Sequence, residues 1–231
     1  MTAEPVPIVR RAHRLVLAGL CAALAACSSA PPAPDWQMNA HAAAQKAVDA
    51  YLSGNTRVAT IEFARARQET ARTGQPALLA RVVLLECAVR VASLEPGGCS
   101  AFDALREDAA PAEQAYARYL AGQLAPQDAP LLPAAQQAAT TARPGSAAPV
   151  LAAVSDPLAR LVAAGVLLQT GGADPQVMRQ ATDTASAQGW RRPLLAWLLL
   201  QAQRAEQAGD ADAAARLHRR IRLVEQGGTL P

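Results

Sequence analysis

Apolar residues recur along this chain at helical spacing, three or four positions apart, in stretches that end at glycine, proline or aspartate. An aspartate before such a stretch acts as a helix N-cap, a proline fits the first helical turn, and a glycine ends a helix. With these boundaries the pattern predicts helices over residues 36–53, 56–73, 76–93, 100–108, 111–123 and 132–142, from Pro157 to Gly171, from Pro175 to Gly189, and over 193–208 and 211–225.

The segment 76–93 is apolar on nearly every side. Its charged residues, Arg81, Glu86 and Arg90, form one polar edge, and Glu86 lies four residues before Arg90, where the two side chains can pair. Three charges would be costly in a lipid bilayer. The pattern therefore predicts a central buried helix rather than a membrane span.

The region 125–150 interrupts the helical pattern with a glycine and five prolines. One helix, over 132–142, fits between irregular ends. We expect this region to be a flexible hinge within a single helical domain that spans 36–225 and is followed by a short tail, 226–231.

The composition favours the same fold class. Alanine, leucine and glutamine are abundant, β-branched runs are scarce, and only 3% of the residues are aromatic. Alanine and leucine are strong helix formers, and a core of small side chains requires closely packed helices. We therefore expect an all-α protein of stacked antiparallel helical hairpins.

Glycines at three predicted turns have similar flanking residues. The three sets are Ala47, Ala59, Phe63 and Ala66 around Gly54; Gly165, Val177, Ala181 and Thr184 around Gly172; and Ala202, Ala214, His218 and Ile221 around Gly209. Small residues let antiparallel helices cross closely, and glycine lets the chain reverse. This spacing resembles the tetratricopeptide repeat, whose period is ~34 residues. The resemblance implies a concave surface that binds peptide segments or partner proteins.

The N-terminal region has the three parts of an export signal. Residues 10–14 carry three arginines, residues 15–24 form an apolar run, and small residues follow, as a signal peptidase requires. The run is shorter than the ~20 apolar residues that span a bilayer. Residues 28–34, rich in serine and proline, then form a flexible polar tether.

The residues Leu24-Ala25-Ala26-Cys27 resemble the lipobox of bacterial lipoproteins. In that family the cysteine thiol receives a diacylglycerol, the chain is cut before the cysteine, and the new N-terminus is acylated. The resemblance implies that residues 1–26 are a signal peptide, that Cys27 is lipidated, and that 27–35 is the tether. The alternative is an ordinary secretory signal with Ala25-Ala26 as the cut site.

The residue after the cysteine indicates to which membrane a lipoprotein is sorted. In lipoproteins of familiar Gram-negative bacteria, an aspartate at this position retains the protein in the inner membrane. Ser28 stands here instead. The resemblance therefore implies the outer membrane, with the helical domain on the periplasmic face and membrane lipid as a partner through the acyl chains.

Charge gives no indication of a nucleic-acid partner. The full chain has a net charge of +3, from 22 Lys and Arg against 19 Asp and Glu. Three of these basic residues and one acidic residue precede Cys27, so the mature chain has a net charge of +1. Nucleic-acid binding would require a concentrated basic face.

Cys87 and Cys99 are the thiols that remain once Cys21 is removed with the signal and Cys27 is lipidated. An even pair in an oxidising compartment suggests a disulfide. Cys99 reaches Cys87 only if the chain turns back after the helix, which the sequence Pro96-Gly97-Gly98 permits. We predict a structural disulfide, with two unlinked thiols as the alternative.

No stretch after Cys27 carries a recognisable catalytic or metal-binding motif. His41 and His218 lie on helices far apart in sequence, and neither His-Glu-x-x-His nor paired-cysteine spacing occurs. There is no Gly-x-Ser-x-Gly motif for a serine nucleophile. We therefore expect no catalytic residue, no metal and no cofactor.

Arginines crowd the last predicted helix: Arg216, Arg219, Arg220 and Arg222. They could bind an acidic partner or lipid head groups. Cations near a helix C-terminus are also stabilised by the helix dipole, so both interpretations stay open.

These features together favour a non-enzymatic, lipid-anchored envelope protein that acts as an interaction scaffold or assembly factor for an unknown envelope protein. Two alternatives remain: a periplasmic cell-envelope enzyme with a helical cleft, and a lipoprotein that binds a small ligand. An enzyme should bring histidine or acidic residues together in one pocket, whereas a scaffold should have a broad groove.

Overall fold

The computed structural model describes residues 32–95, 98–142 and 145–227. From Asp35 onwards the chain forms one compact unit. The predicted signal peptide, the predicted lipidation site Cys27 and most of the predicted tether lie outside the described residues, as do 228–231 of the tail.

Helices, and no strands, make up the regular structure of these described ranges, which confirms the all-α prediction. The α-helices are α1 (Asp35–Leu52), α2 (Thr56–Ala71), α3 (Pro76–Ala92), α4 (Ser100–Asp103), α5 (Pro111–Leu120), α6 (Ala134–Gln137), α7 (Ala147–Ala153), α8 (Pro157–Gln169), α9 (Pro175–Ala187), α10 (Arg191–Gln207) and α11 (Ala211–Glu225).

The helix boundaries follow the polar residues that the sequence places there. The side chains of Asn55, Asp156, Asp174 and Asp210 accept hydrogen bonds from the first backbone N–H groups of α2, α8, α9 and α11. These N–H groups have no partner within the helix, so the side chains stabilise each helix start. Prolines occupy the first turn of α3, α5, α8 and α9.

The proline-rich region contains short helical turns. A 3-10 helix, Pro126–Leu131, precedes α6, and a second, Ala138–Thr141, follows it. The predicted helix 132–142 is therefore one turn of α-helix continued by one turn of 3-10 helix. Gln136 anchors this region, because its buried amide accepts a hydrogen bond from the Tyr119 hydroxyl at 2.8 Å and donates one to the Ala159 carbonyl at 3.1 Å. The hinge itself stays a prediction.

Consecutive helices pack as hairpins, most extensively α1 with α2 and α10 with α11, and also α8 with α9 and α9 with α10. In the first and the last of these hairpins, most of the predicted crossing positions are buried. Ala47, Phe63 and Ala66 are buried in the first hairpin, and Ala202 and Ala214 in the last. Small side chains at the crossings let the helices approach closely.

Helix α3 is the central element, as its apolar pattern predicts. It contacts α1, α2, α4, α5 and α8. Its closest approach is to α8, where a Cβ added at Gly165 would overlap the backbone carbonyl of Val91. Near the same end of α3, the Trp197 indole of α10 donates a hydrogen bond to the Ala92 carbonyl at 3.1 Å.

The last hairpin is tied to the first by Arg192 of α10. Its guanidinium donates to the Tyr51 carbonyl at 2.8 Å and to the Thr56 hydroxyl at 2.7 Å, and it lies over the Tyr51 ring at 4.3 Å. It also pairs with Glu95 at 3.0 Å. One side chain therefore joins the α1–α2 turn, the end of α3 and the start of α10.

Candidate functional site

The disulfide joins Cys87 of α3 to Cys99, the residue before α4, with their Cα atoms 5.6 Å apart. This separation is ordinary for a disulfide. Cys87 is buried, and the link holds the short helix α4 against the end of α3. The predicted pairing is confirmed, and it closes a short loop, which stabilises the fold by about 3 kcal/mol in the loop-entropy estimate.

A cleft of about 460 Å³ lies beside the disulfide, where α3, α5 and α8 end. Leu94, in its lining, has a φ of 56°, in the left-handed region that glycine usually occupies. The charged groups of the lining are already paired, Arg90 with Glu86 and Glu95 with Arg192. Besides these paired charges, the cleft is lined by apolar side chains and by the amides of Gln123 and Gln169.

A second concave surface, which we call the Glu113 groove, lies between α3, α5 and the end of the first 3-10 helix. Its volume is about 560 Å³. Two charged residues, Arg81 and Glu113, accompany an otherwise largely apolar lining: Leu84, Leu85, Ala112, Tyr116, Leu131, Leu132 and Pro133. Leu131, at the edge of this groove, is 41% exposed.

The carboxylate of Glu113 is only half satisfied. Arg81 Nε donates to Glu113 Oε1 at 2.7 Å. Glu113 is buried, with 7% of its surface exposed. Its second carboxylate oxygen, Glu113 Oε2, is buried and has no hydrogen-bond partner. A buried polar atom without a partner is rare and costs about 1–3 kcal/mol.

Tyr116 forms an aromatic part of the wall of this groove. Tyr116 stacks with Tyr119 with 6.0 Å between the ring centroids. Burial, and to a lesser extent the Asp156 carboxylate, raise the pKa of Tyr116 well above its usual value. The phenol therefore stays neutral at physiological pH, and Glu113 and Arg81 are the charged groups of the groove.

The four arginines of the predicted basic patch are exposed along α11: Arg216, Arg219, Arg220 and Arg222. None of them is in an ion pair with another described residue. The dipole of a helix acts only on its last turn, which includes Arg222 but not Arg216. Arg216 and Arg220 also line a shallow cleft of about 320 Å³ together with Arg179 and Asp183 of α9.

The two histidines among the described residues lie apart from any cluster. His41 is exposed on α1, and His218 on α11 contacts Glu206 at 2.7 Å. Within the described ranges, His, Cys, Asp and Glu form no group of three or more that could hold a metal ion. In the same residues, no helix has both the length and the apolar character to cross a membrane.

Sequence reasoning did not identify Glu113. An acidic residue in the first turn of a helix, three positions after Ala110, is a common way to stabilise a helix start, so its type and place give no sign of an unpaired buried oxygen. Arg81 was visible in the sequence as part of the polar edge of α3. Its pairing with α5 depends on tertiary packing.

Comparisons with protein-family models, with curated proteins and with solved structures find no match to this chain.

Proposed function

We propose that this protein is a lipid-anchored protein of the outer membrane that faces the periplasm and holds or assembles other envelope proteins. The lipobox-like residues Leu24-Ala25-Ala26-Cys27 support the anchor, and Ser28 supports the outer membrane. The spacing that resembles the tetratricopeptide repeat supports an interaction role, because that family binds peptide segments and partner proteins.

The observation that carries this proposal is the arginine face of α11. Several arginines of other helices are held by acidic groups, such as Arg67 by Glu86 and Arg118 by Asp128. The four α11 arginines have no such partner among the described residues, although the mature chain is close to neutral. Unpaired charge of one sign attracts an oppositely charged surface and orients it, so we assign this face to an acidic partner protein.

Co-purification from the native host tests the proposal. The full-length protein, with a C-terminal tag, is solubilised gently from membranes, and the proteins that accompany it in stoichiometric amounts are identified. Cys27→Ala removes the acylation site. A double variant, Arg216→Glu with Arg220→Glu, reverses charge on α11, and Arg57→Glu with Arg65→Glu makes the same change at exposed positions of α2.

We expect one envelope protein to co-purify with the unaltered chain and with the α2 variant. The α11 variant should lose most of it, since reversed charge repels an acidic surface. The Cys27→Ala protein should no longer associate with the membrane, and the partner should no longer co-purify with it. A chain that purifies from the outer membrane without any partner, or a partner equally retained by both double variants, would contradict the proposal.

A further inference from the structure

The cleft between α9 and α11, which we call the α9–α11 cleft, brings together arginines from two helices. Arg179 of α9 and Arg216 and Arg220 of α11 line its volume of about 320 Å³. Arg216 and Arg220 are four residues apart and therefore lie on the same side of α11, whereas Arg219 and Arg222 do not line the cleft. Tertiary packing alone places Arg179 beside them.

The lining of this cleft carries an excess of positive charge. Asp183 of α9 is part of the lining, so three arginines and one aspartate leave a net charge of +2. The ion pairs of the described residues include none of these three arginines. Asp174, whose pKa is lowered mainly by the backbone N–H of Val177 and least by Arg179, uses its carboxylate on backbone N–H groups.

The positions of the arginines are unfavourable unless an anion is bound. Arg216 and Arg220 are like charges at i and i+4 of one helix, an arrangement that destabilises a helix by repulsion. Arg179 adds a third positive charge to the same cleft. A negatively charged group between the guanidinium groups would replace this repulsion with attraction.

The other polar groups of the lining are used within the protein. The Gln201 amide donates hydrogen bonds to the Thr182 hydroxyl and to the Met178 carbonyl, and the Thr182 hydroxyl donates to the same carbonyl. Ala213 and Leu217 add apolar surface. The arginine guanidinium groups are therefore the donors that the cleft offers to a ligand, which favours an oxyanion.

From this arrangement we propose that the α9–α11 cleft receives acidic side chains of the partner protein, so that the binding surface extends from α11 onto α9 and includes Arg179. The planar guanidinium group matches the geometry of a carboxylate, and a net charge of +2 suits two carboxylates from one segment of the partner. The inference rests on the proposed function, because it names the groups by which the acidic partner is held.

A phosphate group is the alternative oxyanion, and the structure favours it less. Phosphate sites commonly use free backbone N–H groups at a helix start. In this lining the residue nearest a helix start is Ala213, and its N–H is bonded to the Asp210 carboxylate. The cleft is also shallow, so a small anion would stay exposed to water and salt, whereas a covering protein surface excludes water and strengthens the contacts of arginine with carboxylate.

Binding of a labelled acidic peptide tests this inference without knowledge of the natural partner. The probe is fluorescein-labelled dodecaglutamate, and its affinity for the full-length protein in detergent is measured by fluorescence polarisation at pH 7 and low salt. Arg179→Gln removes one positive charge of the cleft, and Asp183→Asn removes its negative charge. Arg57→Gln is the matched control, because Arg57 is exposed on α2, outside the cleft.

We expect Arg179→Gln to weaken binding of the peptide about threefold, as for the loss of one exposed charge pair, and Arg57→Gln to leave it unchanged. Asp183→Asn should strengthen binding about twofold, because it removes a charge that repels carboxylates. Opposite effects at two positions of one helix separate a contact in the cleft from a general loss of structure. Sodium phosphate should displace the peptide no better than sodium chloride of equal ionic strength.

An Arg179→Gln protein that binds the peptide as tightly as the Arg57→Gln protein would overturn the inference, as would an Asp183→Asn protein of unchanged affinity. Phosphate that displaces the peptide much better than chloride, and only when Arg179 is present, would replace the carboxylates with a phosphate group.

The same variants in the co-purification experiment separate this inference from the proposed function. If the partner is lost from the Arg216→Glu with Arg220→Glu protein but fully retained by the Arg179→Gln protein, the proposed function stands and this inference alone fails. If no partner co-purifies with the unaltered chain, the proposed function fails whatever the peptide shows.

Discussion

Gly165 shows how one residue determines the packing of the central helix. It is the residue of α8 that meets the Val91 carbonyl of α3, and backbone cannot move aside as the end of a side chain can. The spacing of small residues identified Gly165 as a crossing point. From that spacing we expected Gly165 to pack against α9, its partner in the hairpin, whereas its close contact is with α3.

We expect Gly165→Ala to destabilise the protein by about 2–3 kcal/mol, because the added methyl group forces α3 and α8 apart. Gly172→Ala is the control: its Cβ would lie 2.9 Å from the end of the Leu167 side chain, which can adjust more easily than backbone. Urea unfolding followed by circular dichroism measures both variants. A Gly165→Ala protein as stable as the Gly172→Ala protein would show that the two helices are not held at this distance.

Most of the helices were predictable from local chemistry. The Asp-Pro pairs at 156–157 and 174–175 start α8 and α9 where expected, since aspartate caps a helix and proline fits its first turn. The region around α6 was the least predictable, because several prolines removed the helical pattern. Its short turns depend instead on tertiary contacts such as that of Gln136 with Tyr119.

Asp174 provides a test at the level of a single helix. Its carboxylate accepts hydrogen bonds from the backbone N–H groups of Val177 and Gln176, and also from that of Gly145. The hydrogen bond from Val177 contributes most to lowering the pKa of Asp174 below its usual value. The charged form is thus favoured in the folded protein, and it stabilises the start of α9.

We expect Asp174→Ala to lower the free energy of unfolding by about 1 kcal/mol at pH 7, as for other helix caps. Because the folded pKa lies below the unfolded one, this stabilisation is complete above about pH 5, relative to an unfolded pKa of ~3.9, and is lost as the pH falls through the folded pKa. The two unfolding curves should therefore converge in acid. Asp183→Ala, at an exposed position of the same helix, should change the free energy of unfolding little. An equal loss of stability in both variants would show that Asp174 does not act as a helix cap.

At the scale of the molecule, the packing of hairpins against one another could not be predicted from the sequence. Arg192 and Tyr51 are 141 residues apart, and nothing in either local sequence indicates that they meet. The same holds for the contact of α3 with α8 and for the pairing of Arg81 with Glu113. The arginine face of α11 was predictable, because helical spacing alone places its residues on the surface of one element.

The proposed function depends on the anchor at Cys27, because lipidation is what would hold the helical domain and its arginine face at the membrane. Cys27 follows small residues and an apolar run, and its mature neighbours are serine and proline. Acyl chains contribute ~0.8 kcal/mol per buried methylene, so several chains hold a protein firmly at a membrane.

The most direct measurement is the intact mass of the protein purified from the membranes of its own host, with fragmentation of the N-terminal peptide. We predict a chain that begins at Cys27, lacks residues 1–26, and carries a diacylglycerol on the thiol and an acyl group on the N-terminus. A chain with a free Cys27 thiol, whether it is uncleaved or cut at another residue, would contradict this prediction.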